Sequence, residues 1–188
     1  MPTRFRVIFL FLGLCLATPA AAGVNASFTA ELGVRARIEN PSVGEQLSIP
    51  VRFRQMTEMK GGAVRFRYDP AIVSFISFTT GEIAPGAVGL SGQPVIGDDG
   101  LAVIEGGITL LGSGVTVRTN GGLFGTFDFE LIAELPDEGT SISAVRVEVN
   151  TSGDREDRDL LKLVPGQLSV LLVPTFPNAI FNVVVERK

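Results

Sequence analysis

Five carboxylates could supply paired-acid chemistry: Asp69, Glu82, Glu105, Asp128 and Glu130. Hydrolysis of a glycosidic bond needs only two such groups, roughly 5 to 10 Å apart across a cleft, one to protonate the leaving oxygen and one to act as base or nucleophile. Each of the five also has a structural reading. Asp128 and Glu130 alternate with Phe127, Phe129 and Leu131, as on the solvent side of a strand; Glu82 follows Gly81 in a loop; Asp69 precedes Pro70 in a turn. A second acidic set, Asp154, Glu156, Asp157 and Asp159, offers the oxygen donors of a calcium loop, but Arg155 and Arg158 stand between them, and a solvated, locally neutralised loop is the preferred reading. The absences exclude more than the acids suggest. With no histidine, Ser-His-Asp and Cys-His catalysis and histidine-ligated zinc are impossible, and the single cysteine, Cys15, lies far from these acids. Gly86-Ala-Val-Gly89-Leu-Ser-Gly92 lacks the strand-then-helix setting of a phosphate loop. The sequence therefore calls for a non-catalytic protein with no cofactor and no metal.

The elements that must position these groups belong to an exported all-β chain. Arg4 and Arg6, the apolar run Val7 to Ala17 and the small residues Thr18-Pro-Ala-Ala-Ala22 form a signal peptide, with cleavage expected after Ala22. The run is too short to span a bilayer, no later stretch is long enough, and Leu14 before Cys15 is a poor site for lipid attachment. The expected divisions are residues 1–22 as a removed signal peptide, 23–174 as one domain, and 175–188 as a tail or an extra strand. A secreted, periplasmic or cell-surface location follows. Beyond residue 22 there is no cysteine, so the exported chain relies on its core without disulfides. The formal charge of −4, more negative once Arg4 and Arg6 are removed, argues against nucleic acid or an anionic membrane surface as partner. Asn25-Ala-Ser27 and Asn150-Thr-Ser152 fit the glycosylation sequon.

Strand signals recur along the chain. Leu47, Ile49, Val51 and Phe53 alternate with Ser48, Pro50, Arg52 and Arg54, and Pro50 implies an edge or a bulge. Val88 to Val95 reads as a short strand. Leu101 to Leu111, entered from the tight turn Asp98-Asp99-Gly100, reads as a strand bulged at Gly106-Gly107. Leu123, Phe127, Phe129 and Leu131 share one face, and Val145, Val147 and Val149 alternate with Arg146 and Glu148. The best-defined stretch is Gly61 to Gly81. Val64, Phe66 and Tyr68 alternate with Ala63, Arg65 and Arg67, and Tyr68-Asp69-Pro70 then forms a structural corner, because Pro70 has no N–H and holds Asp69 extended. Together these signals suit an all-β, two-sheet antiparallel sandwich.

Taken in order, Leu47-Ser-Ile-Pro-Val-Arg-Phe53, Arg67-Tyr-Asp-Pro70, the Ile72 to Phe78 run, Gly81-Glu82 and Asn120-Gly-Gly-Leu-Phe124 resemble a cohesin domain, the bacterial module of cellulosome scaffolds, from about Glu31 to Val173. The resemblance implies a jelly-roll sandwich of about nine strands that binds dockerin modules, with a link to polysaccharide degradation. It also implies a binding face on the outward side of the strand that leads to the corner. There the chain carries Gly61, Ala63, Arg65 and Arg67 in place of the family's small polar residues, and Glu105 loosely matches a further contact position. Two arginine forks on that face favour an acidic or carboxylate-bearing protein partner. Their other reading is pairing with acids on a neighbouring strand. The alternative function is a carbohydrate-binding or cell-surface structural module on the same sandwich. With no tryptophan, one tyrosine and phenylalanines at core-facing positions, a sugar-stacking platform has little to draw on.

Overall fold

The computed structural model describes residues 24–25, 27–35, 37–112, 115–151, 158–160 and 169–174, with 158–160 described by backbone alone. The expected signal peptide, the Asp154 to Asp157 part of the acidic loop and the 175–188 tail lie outside them. Within the described residues there are twelve strands: β1 (Thr29–Leu32), β2 (Arg37–Glu39), β3 (Gln46–Arg54), β4 (Gly61–Tyr68), β5 (Val73–Thr80), β6 (Val88–Ser91), β7 (Val95–Ile96), β8 (Ala102–Thr109), β9 (Gly121–Leu131), β10 (Thr140–Asn150), β11 (Arg158–Leu160) and β12 (Ser169–Val173). Nine of them are four residues or longer, in line with the nine-strand sandwich expected. The smaller sheet has the order β1-β3-β9-β5. The larger runs β2-β12-β10-β4-β8-β6, with β11 beside β10 and β7 beside β8. Among the described residues the one parallel pair is β12 with β2.

Alternation drives the packing. On β3, Leu47, Ile49, Val51 and Phe53 are buried while Gln46, Ser48, Arg52 and Arg54 are exposed. Rings from both sheets meet in the middle, where Phe66 of β4 lies 4.7 Å from Phe127 of β9; within the smaller sheet Phe53 of β3 stacks on Phe124 of β9 at 4.4 Å. Each such buried ring stabilises by about 1.5–3 kcal/mol relative to exposure. Tyr68 closes one end of this core. It is 2% exposed, 5.3 Å from Phe129, and hydrogen-bonded to the backbone of Phe75 on β5; burial pushes its phenol above the usual tyrosine range. The corner expected at Tyr68-Asp69-Pro70 is present. The Asp69 carbonyl accepts from the Ile72 and Val73 N–H groups, and its carboxylate accepts from the Ala71 N–H at 2.9 Å.

Bulges change three local expectations. Where β3 and β9 shift register, Phe124 is the extra residue; it turns into the core, and Leu123 does not share the face of Phe127 and Phe129. On β10 the extra residue is Val145, which is exposed while Val147 and Val149 stay buried, and on β5 it is Ile76, again exposed. Each bulge resets the two-residue period after it. Conversely, β8 pairs with β4 without interruption through Gly106-Gly107, so no bulge lies there. Gly106 serves close approach instead, since a Cβ at that position would sit 2.6 Å from the Phe127 ring. Pro50 lies in an interior strand beside a bulge. Its carbonyl accepts from the Gly33 N–H at 2.7 Å just past the end of β1, so the missing proline N–H falls where that ladder stops.

Asn25 is buried and pins the start of the described chain. Its Nδ2 donates to the Glu58 carbonyl at 2.8 Å, and its Oδ1 accepts from the Thr57 and Glu58 N–H groups. A glycan on that nitrogen would break the anchor. No helix among the described residues is long and apolar enough to cross a membrane.

Candidate partner-binding face

β4 occupies an interior position of the larger sheet, between β8 and β10. Its pleat sends Val64, Phe66 and Tyr68 into the core and leaves Ala63, Arg65 and Arg67 half-buried on the outer side. Arg65 is directly opposite Glu105 of β8, and its Nε donates to the Glu105 Oε2. Arg67 pairs with Asp99 in the turn between β7 and β8. On β10, Arg146 pairs with Glu148 at 2.7 Å. The structure thus brings Ala63, Arg65, Arg67 and Glu105 onto one face, and both arginines pair with acids from the neighbouring strand and its turn. Half-exposed pairs of this kind contribute at most about 1 kcal/mol to stability, so their main effect is to hold the guanidinium groups in place.

Gly61 has the same outward register but is buried. A Cβ there would lie 2.8 Å from the Ile108 carbonyl and 2.9 Å from the Asn150 Oδ1. It therefore shapes the floor of the face and offers no side chain. Tyr68 points inward and Asp69 is held in its turn, so the corner orients the face without lining it.

Exposed aliphatics on the strands beyond β8 were not singled out by sequence reasoning. Leu90 of β6, opposite Gly107, is 63% exposed, and Val95 of β7, opposite Val103, is 67% exposed. Their signal was present: Ile83 to Gly97 contains no charged residue. A shallow hollow of ≈ 570 Å³ lies over Gly61, Ala63 and Gly107, with Leu90, Glu105 and Glu148 around it. A second, of ≈ 390 Å³, lies between Arg65, Val95, Val103 and Glu105. Glu105 borders both, so the Arg65–Glu105 pair forms a ridge between two depressions.

The five acids do not converge. Glu105 is on the outer face of the larger sheet, whereas Asp128 is on the outer face of the smaller one, where it accepts from the Ser48 hydroxyl at 2.6 Å and the Ser77 hydroxyl at 2.9 Å. Packed sheets stand about 10 Å apart, so a full sandwich separates them. Glu130 stands opposite Gln46 and Ser74, and Glu82 accepts weakly from the Leu123 N–H at 3.4 Å. No group of three or more acids among the described residues is placed to hold a metal ion. The described aromatic side chains all lie in the core or against it.

Solved structures share this architecture. A cohesin module from a family 33 glycoside hydrolase of Clostridium perfringens ATCC13124 superposes with a TM-score of 0.55 at 12% identity, covering 79% of this chain and 98% of that module. This chain has the cohesin fold. The sixth cohesin of scaffoldin B from Acetivibrio cellulolyticus, solved in complex with a mutant Cel5 dockerin, gives a TM-score of 0.55 at 14% identity, covering 79% of this chain and 99% of that one. Type II cohesin A11 from Bacteroides cellulosolvens gives 0.53 at 12% identity, with 78% and 98% covered. No protein-family model matches the sequence, and no curated protein matches it at a significant level. The cohesin likeness is therefore carried by the sandwich, whose larger sheet presents the face described above.

Proposed function

We propose that the protein is a non-catalytic module that binds a protein partner on the outer face of its larger sheet. Ala63, Arg65, Arg67 and Glu105 make the contact and Gly61 forms its floor. The observation that carries this reading is the ridge of Arg65 and Glu105 between two hollows, with exposed Leu90 and Val95 beside it. Apolar side chains next to oriented charges on a flat, small-residue floor are what a polar-rimmed protein interface uses. The cohesin fold adds weight, because one cohesin with this fold was solved with a dockerin bound. The partner is a dockerin-like module or another protein with an acidic surface, which reaches the guanidinium N–H groups that the Glu105 and Asp99 pairs leave over. Export through residues 1–22 places the encounter outside the cytoplasm, in the setting of polysaccharide degradation, with residues 23–174 as the binding domain.

The test is a titration of purified dockerin modules, and of proteins captured from the native secretome, against the wild type and the Arg65→Glu/Arg67→Glu variant. Affinity should fall at least about tenfold, the loss expected when one charged contact of about 1.4 kcal/mol is removed. A variant that keeps its thermal midpoint and its affinity places the binding site elsewhere. Retardation on cellulose, xylan or chitin gels without any protein partner would favour the carbohydrate reading instead.

A further inference from the structure

The larger sheet ends in an edge without the usual protection. Sheet edges expose unpaired N–H and C=O groups, which folded proteins blunt with charge, proline or bulges. Three described edge strands here are blunted. β1 carries Glu31, ion-paired to Arg54 of β3; β2 carries the Arg37–Glu39 pair; β5 is bulged at Ile76. β6 has none of these devices. Its residues Val88, Gly89, Leu90 and Ser91 are all exposed, and its pairing with β8 is regular.

One hydrogen bond shows which groups point outward. The Gly92 N–H donates to the Glu105 carbonyl at 3.0 Å, continuing the register that sets Leu90 against Gly107 and Val88 against Thr109. In an antiparallel ladder, alternate residues turn both backbone groups toward the same neighbour. Val88, Leu90 and Gly92 therefore face β8, while Gly89 and Ser91 direct their N–H and C=O groups to the open edge.

We propose that this edge pairs antiparallel with the same edge of a second copy of the chain, about a two-fold axis at Leu90. The stretch is its own complement. In this register Gly89 and Ser91 exchange N–H···O bonds with Ser91 and Gly89 of the other copy. Leu90 meets its counterpart at the close, non-hydrogen-bonded spacing of roughly 4.5 Å between Cα atoms. Val88 falls opposite Gly92, so each larger side chain there meets a glycine. Charge favours this occupant over an acidic or basic strand, because the uncharged Ile83 to Gly97 stretch opposes no like charges despite the net charge of −4. Pro85 and Pro94 flank the pairing and limit its length, and an isologous contact closes as a dimer. Both copies would show their Arg65–Glu105 faces on the same side of one continuous sheet, which makes the assembly bivalent.

Sedimentation velocity of the full chain over a roughly hundredfold range of concentration reads the association directly. The average mass should rise from one chain toward two, and Leu90→Lys and Ser91→Pro should each hold it at one. The N–H that the second variant removes points away from β8. In a Cys15→Ser background, Leu90→Cys should oxidise to a covalent dimer at least roughly tenfold faster than Val88→Cys, whose thiols would be too far apart across the axis. Wild type that stays at one chain mass throughout overturns the proposal, as do equal oxidation rates for the two cysteine variants. Association that survives both Leu90→Lys and Ser91→Pro also overturns it, since another face would then be responsible.

Discussion

On the outer face of the smaller sheet, Asp128 accepts hydrogen bonds from Ser48 and Ser77, and a hydrogen bond from Arg54 holds the Glu31 carboxyl below the usual carboxylate range. On the outer face of the larger sheet, Arg65 and Glu105 meet across strands in a similar way, but Leu90 and Val95 stand beside them over a floor of Gly61, Ala63 and Gly107. Both faces pair charged groups. Hollows occur on both sheets, one of ≈ 460 Å³ being lined by Arg54, Gly121 and Gly122 of the smaller; what separates the outer faces is the exposed Leu90 and Val95 beside the charges of the larger. An ion pair is therefore a poor marker of function in this molecule, and the apolar surroundings of the pair are a better one.

The largest expected effect comes from the core that both faces rest on. Phe127→Ala removes a ring that packs on Phe66, Phe75 and Phe78, and should lower stability by about 3–5 kcal/mol in urea unfolding. If partner binding depends on the flatness of the larger sheet, affinity should fall with it even under conditions where the variant is still folded. A smaller effect separates the two faces. Asp128→Ala leaves the Ser48 and Ser77 hydroxyls without their acceptor and should cost about 1 kcal/mol in the same measurement, with partner affinity unchanged. Lost affinity in that variant would show that the smaller sheet's face also takes part.

The smallest effect is confined to alkaline pH. Tyr68 reaches from the larger sheet to the backbone of Phe75 on the smaller one, and burial raises its phenol above the ordinary value of about 10. The unfolded chain then ionises first, so the stabilisation is complete below about pH 10 and is lost as pH rises through the ordinary value toward the raised one. Urea midpoints measured across that range should fall more steeply for wild type than for Tyr68→Phe. Tyr68 is the only tyrosine and there is no tryptophan, so phenolate absorbance reports this one group. An absorbance transition at the ordinary tyrosine pH in the folded protein would contradict the burial.

Much of this was legible in the chain. The alternation over β3 and β4, the Tyr68-Asp69-Pro70 corner and the turn at Asp98-Asp99-Gly100 depend on near neighbours, and they appear where the residue types place them. The resemblance carried by the ordered set of strand and corner signals led to the same cohesin fold that the superpositions reveal. The phase of β9 after Phe124, of β10 after Val145 and of β5 after Ile76 was not legible, because a bulge arises when two paired strands disagree in length. Gly106-Gly107 shows the same limit. Two glycines read as a bulge in isolation, whereas the need for them comes from Phe127 in the opposite sheet.

By itself the sequence determined the all-β class, the outward register of Ala63, Arg65 and Arg67, and the exclusion of histidine chemistry. These follow from side-chain type and a two-residue period, which are local properties. Only the tertiary structure decided that Arg65 meets Glu105 and Arg67 meets Asp99, that Gly61 lies buried under Asn150, and that β6 is left as an uncharged open edge. The reason is physical: strand order and register are set by how two sheets bury a shared core, and no residue carries that information alone.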